Sequence, residues 1–287
     1  MSGKKLRLAR FRATPAPGTR GAVIVPIDHG LTMGPLDGIG STAEIGRWIT
    51  SPVIDGVIAH KGIVERLAAR GLLSRAGVMV HLNGMSSLGS APNTKERLTD
   101  METAVRLGAD AVNLQVNFDG SNDAHNLSAL GRAVDEAGRF GLPVLAMVYD
   151  KVPCADRSSE VARARHLMRI AVELGVDALK IGTPAELSLI AALLDGFVED
   201  VPVFLAGGSL TEPPILFALA RAVMRAGGAG LCVGRNVFQH PNPHALLAEL
   251  ASVLEAEARP RHAPVDRQRS SIRERLADTC SPVAYSA

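Results

Sequence analysis

The feature that most constrains this chain is a repeated alternation. A short apolar run ends in polar or glycine-containing residues, and an amphipathic stretch follows. Eight such runs occur, at 23–28, 56–60, 78–82, 111–116, 143–149, 178–181, 201–206 and 229–233. Their mean spacing is roughly 30 residues, the length of one strand–helix unit of a parallel sheet. The stretches 97–107, 126–140, 159–174 and 210–226 carry apolar residues three or four apart and predict helices. Several strands are announced by a helix-ending glycine, as in Leu107-Gly108-Ala109-Asp110-Ala111, Leu174-Gly175-Val176-Asp177-Ala178 and Ala226-Gly227-Gly228-Ala229. Eight units admit a closed barrel or a doubly wound open sheet. The count, and the lack of a G-x-G-x-x-G turn after the first run, point to a (β/α)8 TIM barrel.

Composition agrees. The 287 residues suit one such barrel, which takes ~250, and a core of that size folds without disulfides. Apolar residues make up 47% and aromatics 3%, so the core must be built from Ala, Val, Leu and Ile, as buried parallel strands prefer. A net charge of +2 gives no electrostatic case for nucleic acid or a membrane surface. No apolar segment has the form of a signal peptide or a spanning helix. Cys154, Cys232 and Cys280 are far apart and odd in number, which fits the reducing cytoplasm better than a disulfide framework. The expected organisation is an irregular basic arm over 1–20, the barrel over 21–258, and an Arg-rich extension over 259–287. The extension carries a short helix at 271–278 and is solvated or docks against a subunit.

Barrel chemistry sits at the C-terminal ends of the strands. There the sequence places Asp28-His29-Gly30, His60-Lys61-Gly62, His81-Leu82-Asn83-Gly84, Asn113–Asn117, Tyr149-Asp150-Lys151, Lys180, Gly207-Gly208-Ser209 and Gly234-Arg235-Asn236. Lys180 lies within an apolar run, and alternation puts it on one face with Ala178, away from Leu179 and Ile181. In a barrel that face is the interior, where desolvation is expected to lower the lysine pKa and favour a nucleophilic amine. The bland alternative is a rim lysine paired with a carboxylate. Tyr149 ends the neighbouring strand and could move a proton at a bound carbonyl, or merely pack its ring. Asp28 shares the inward face with Ile24 and Pro26 and could orient hydroxyls, accept a proton or simply bond its own turn. His29, His60 and His81 end the first three strands, which raises a zinc possibility. Their spacing is not that of a metal motif, and no metal or other cofactor is expected. The Gly207-Gly208-Ser209 and Gly234-Arg235 turns follow strands seven and eight, where barrels bind phosphate, and Arg235 adds a bidentate cation.

Assembled, these segments resemble a known family. Val25-Pro26-Ile27-Asp28-His29-Gly30 with Gly34-Pro35, Leu145–Tyr149, Asp177–Lys180, Leu205–Gly208 and Gly234-Arg235-Asn236-Val237-Phe238-Gln239 are similar to motifs of the archaeal-type class I fructose-bisphosphate aldolases. That family includes 2-amino-3,7-dideoxy-D-threo-hept-6-ulosonate synthase and a synthase joining dihydroxyacetone phosphate to aspartate semialdehyde. The resemblance covers roughly 20–255. It implies Lys180 as the Schiff-base lysine, Tyr149 as acid/base, and His29, Gly207, Gly208, Ser209, Gly234 and Arg235 around a phosphorylated substrate. It also implies a homo-oligomer of five-fold rings. Ala59-His60-Lys61-Gly62, His81-Leu82-Asn83, Ser87-Leu88-Gly89 and Pro92-Asn93 look closer to the amino-heptulosonate synthases than to the glycolytic aldolases. Ile181-Gly182-Thr183-Pro184 and Val152-Pro153-Cys154 depart from the family pattern. The resulting expectation is a class I aldolase joining a phosphorylated ketose donor to an amino-aldehyde. The alternatives are fructose-1,6-bisphosphate cleavage, a metal-dependent barrel enzyme, or a silent sugar-phosphate binder.

Overall fold

The computed structural model describes residues 3–13 and 18–258; the expected C-terminal extension, with its helix at 271–278, lies outside the described residues. Eight parallel strands close into a barrel. In chain order they are β1 (Ala22–Pro26), β2 (Gly56–Ala59), β3 (Gly77–His81), β4 (Ala111–Phe118), β5 (Val144–Asp150), β6 (Ala178–Ile181), β7 (Val203–Ala206) and β8 (Gly230–Cys232). Each pairs with its chain neighbours, and β1 pairs with β8 through Ala22↔Gly230 and Ile24↔Cys232 to seal the ring. The (β/α)8 expectation holds at all eight positions.

Two apolar layers follow from strand alternation. Ile24, Ile58, Met79, Leu145, Met147, Ala178 and Phe204 fill the barrel interior. Val25, Val57, Val80, Leu179, Ile181 and Leu205 face the surrounding helices. Ala178 is thus inward, and Leu179 and Ile181 outward, as alternation predicts.

Several boundaries differ from expectation for local reasons. β1 stops at Pro26, which has no amide to continue the ladder. Asp28 therefore sits past the strand, as N-cap of a short helix, His29–Met33. The helix expected over 97–107 runs only over Met101–Arg106. Glu96–Arg97 instead pair antiparallel with Asn83–Gly84, and Asp100 caps the helix by accepting from the Thr103 amide at 2.6 Å. The helix expected at 210 begins at Pro213, a residue suited to the first turn. Gly108, Gly175 and Gly227 take φ of +73°, +87° and +83°, the left-handed stops read from the sequence.

The arm expected to be irregular contains a helix, Gly3–Arg10, lying across the N-terminal end of the barrel. Phe11 follows it and is wholly buried. A side chain on Gly56 or Gly77 would meet the Phe11 ring at 2.6 or 2.5 Å, so those glycines make room for the plug. Lys4 pairs with Asp177 at 2.8 Å, Arg10 with Asp110 at 2.7 Å, and Arg12 and Arg20 with Asp55 at 2.8 and 2.7 Å. Each of these aspartates also accepts a backbone amide of an adjacent strand, from Val144, Val78 and Val23 respectively, at 2.9 Å.

Candidate active site

The opposite end of the barrel collects the predicted site residues. Lys180 rises from β6 into the interior and is only 6% exposed. Its Nζ lies 3.6 Å from Met147 Sδ and interacts with the side chains of Tyr149 and Cys232. Burial opposes its charge, Cys232 and Tyr149 favour it where they are themselves ionised, Asp28 favours it throughout, and its pKa is raised. This corrects the expectation of a lysine neutralised by desolvation. Burial pushes the Cys232 thiol up to about 11 and the Tyr149 phenol above its ordinary value. Both are therefore neutral near pH 7, and Asp28 is the anion that favours the Lys180 ammonium.

Burial works against ionisation of Asp28 as well. The His81, His29 and Lys180 charges reverse it and hold its carboxyl at about 2. His81 Nε2 stands 3.8 Å from Asp28 Oδ2, and His29 Nδ1 3.6 Å from Oδ1. Burial lowers the pKa of all three strand-end histidines, that of His60 to about 4. The His60 and His81 rings meet edge-on at 4.9 Å, and His81 Nδ1 bonds Asn113 Oδ1. Among the described residues, no group of three or more His, Cys, Asp and Glu side chains is arranged to hold a metal ion.

The two glycine turns are held together at β7 and β8. Arg235 donates to the Gly208 carbonyl at 3.1 Å, while its buried Nε has no partner. Gly208 has φ of +70°. A side chain on Gly234 would approach the Pro26 carbonyl and His29 Cε1, each at 2.8 Å. Asn236 binds the turns into one unit: it donates to the Gly207 and Ser209 carbonyls at 2.9 and 3.2 Å and accepts from the Thr211 amide at 2.9 Å. His29 lies against this unit, edge-on to Phe238 at 5.4 Å, with its buried Nδ1 lacking a hydrogen bond.

Sequence reasoning gave no role to Asn236 or Asn113 and treated Cys232 only as a redox marker. It also missed Lys95, from the segment between β3 and the helix Met101–Arg106, which is buried and acts electrostatically on Asp28 and His81. A separate cavity of about 710 Å³, lined by Tyr149, Asp150, Arg157, Thr183 and Pro184, lies between β5, β6 and the helix Arg157–Glu173. Lys180 does not line it, so the chemistry is assigned to the barrel mouth.

A closed barrel with a buried lysine on β6, a tyrosine near the end of β5 and an aspartate after β1 is an arrangement suited to lysine-dependent carbon–carbon bond chemistry. The chain belongs to the DeoC/LacD family of aldolases, whose pattern matches residues 22–240. It is 33% identical to 2-amino-3,7-dideoxy-D-threo-hept-6-ulosonate synthase of Halobacterium salinarum, over 91% of this chain and 95% of that protein. It is 31% identical to 2-amino-4,5-dihydroxy-6-oxo-7-(phosphonooxy)heptanoate synthase of Streptomyces griseus, over 80% and 84%. Among solved structures, an archaeal fructose-1,6-bisphosphate aldolase superposes with a TM-score of 0.76 at 25% identity, covering 87% of this chain and 99% of that one. No helix among the described residues is long and apolar enough to cross a membrane.

Proposed function

We propose that this chain is a class I aldolase that joins a phosphorylated ketose donor, such as dihydroxyacetone phosphate, to an aldehyde bearing an amino group, such as aspartate semialdehyde. The observation that carries the reading is the position of Lys180. It is buried inside the barrel beside Tyr149 and influenced by Asp28, at the end where barrels do chemistry.

The resting site is an ammonium–carboxylate pair, so Lys180 must lose a proton before it reacts. It releases that proton to solvent as the ketone enters, while Asp28 stays ionised and orients the donor hydroxyls, and the neutral amine attacks the carbonyl carbon. Tyr149 protonates the departing oxygen, which leaves as water and yields the iminium. The resulting phenolate removes a proton from the adjacent carbon, and the iminium nitrogen accepts the electron pair, giving an enamine. The enamine carbon attacks the aldehyde, whose oxygen takes a proton, and water then releases the product from Lys180. The donor phosphate is held by the Gly207-Gly208-Ser209 and Gly234-Arg235 turns, with His29 packed against them. Two named relatives, at 33% and 31% identity, make aminated seven-carbon products, which favours an amino-aldehyde acceptor over fructose-1,6-bisphosphate cleavage.

Borohydride trapping with dihydroxyacetone phosphate, read by intact mass and peptide mapping, tests the reading. The expected result is one adduct on Lys180. A folded protein that binds the donor without forming that adduct would overturn it. The same reading carries two further expectations, a cytoplasmic enzyme from the scattered cysteines and a homo-oligomer from the family resemblance; a monomeric mass by light scattering would sink the latter.

A further inference from the structure

The segment between β3 and the helix Met101–Arg106 is strapped across the barrel mouth. Asn83 donates to the Gln115 carbonyl and accepts from the Gln115 amide, both at 2.8 Å. Ser87 bonds the Thr32 carbonyl at 2.8 Å, Lys61 Nζ the Leu98 carbonyl at 2.7 Å, and His125 the Lys95 carbonyl at 3.0 Å. This strap fixes the backbone of Lys95 and leaves its side chain 6% exposed. Among the described residues, no carboxylate pairs with Lys95 and no acceptor bonds its Nζ. Four cations of the N-terminal segment, Lys4, Arg10, Arg12 and Arg20, by contrast each have an aspartate.

The stem of Lys95 is thus packed away while its ammonium keeps a little open surface, and a cation held so without a protein partner is placed to meet an anion supplied by a ligand. The groups whose charges act on Lys95 are Lys151 and Asp28, which follow β5 and β1 at this same end of the barrel. Burial, aided by Lys151, lowers its pKa. Lys151 itself follows β5 and sits over the Tyr149 ring at 5.3 Å. In the ring order, β3 stands opposite β7. The segment is also tied to β4 through Gln115 and to the helix after it through His125, so Lys95 belongs to the β3–β4 side of the mouth, opposite the Gly208 and Arg235 turns at β7 and β8.

We propose that Lys95, aided by Lys151, forms a second anion subsite that takes the carboxylate or phosphate of the incoming aldehyde. A substrate with an anion at each end would then span the mouth with its reacting carbons over Lys180. This assignment deepens the aldolase reading and rests on it.

The test is calorimetric titration of the full chain with aspartate semialdehyde, glyceraldehyde 3-phosphate and uncharged glyceraldehyde. Wild type is compared with Lys95→Met and with Lys95→Arg, which keeps the charge. In Lys95→Met, Kd for the tighter-binding anionic aldehyde should rise about tenfold or more, the worth of one charged hydrogen bond. Lys95→Arg should recover most of that loss, and glyceraldehyde should not respond. Whichever anionic aldehyde binds wild type more tightly identifies the anion as carboxylate or phosphate. Equal Kd values in wild type and Lys95→Met, an equal loss for glyceraldehyde, or no binding of either anion to wild type would overturn the subsite. Donor trapping on Lys180 reports separately. Charge-dependent aldehyde binding without a trapped adduct leaves the subsite standing and removes the aldolase mechanism, and an adduct with Lys95-independent binding does the reverse.

Discussion

The two ends of the barrel hold similar charges in opposite ways. At the N-terminal end, Asp55, Asp110 and Asp177 each meet a cation from the N-terminal segment and a backbone amide. At the C-terminal end, among the described residues, Lys95 has no anion, Arg235 Nε and His29 Nδ1 have no acceptor, and Lys180 faces Asp28 across a buried site. A polar group satisfied by the protein contributes to folding; one left unsatisfied is available to a ligand. The difference separates a structural end from a reactive one without reference to any relative. It can be broken by showing that charges at the two ends respond alike to substitution.

The largest difference is expected at Lys180. Lys180→Met should fold, since the thioether chain is close to the lysine in length and stands beside Met147 in the barrel interior, and should lose all measurable turnover and borohydride adduct. Residual aldol activity would end the Schiff-base assignment. Tyr149→Phe comes next, because the ring packing is kept and only the transferable proton is lost. A fall in kcat of about 10²–10⁴-fold is expected, with donor KM little changed. A fall in donor affinity alone would make Tyr149 a packing residue.

Arg235→Ala should act mainly on binding. Loss of a charged hydrogen bond costs about 1.5–3 kcal/mol, so KM for a phosphorylated donor should rise roughly 10–150-fold. An unphosphorylated ketone should show a much smaller change. An equal effect on both donors would mean that Arg235 merely shapes the turn through the Gly208 carbonyl.

The same contrast explains what could be read from the sequence. Lys180, Tyr149 and Asp28 stand at or just after strand ends, so period-two alternation and the eightfold count sufficed to bring them together. Lys95 was not legible, because a strap with two residues of antiparallel pairing carries no periodicity. The charge of Lys180 was also misjudged. Burial was read from the strand, but the countervailing carboxylate comes from β1, far away in sequence. The N-terminal helix was missed for a related reason. It has no buried face of its own, and its position depends on Phe11 and on aspartates over 40 residues away.

The smallest effect on catalysis, and a clear one on stability, is expected at the other end. Asp55 accepts from Arg12, from both terminal nitrogens of Arg20 and from the Val23 amide, and so joins the N-terminal segment to β1 and β2. Asp55→Asn keeps the shape but removes the charge and one acceptor oxygen, leaving Arg20 mostly buried without its anion. Because Arg12 is 45% exposed, its share is screened, and the loss should be about 2 kcal/mol. Thermal unfolding should shift down by a few degrees, while kcat and KM stay within a factor of about two. If Asp55→Asn instead lowers kcat with Tm unchanged, the two ends are coupled, and the division between a structural and a reactive face fails.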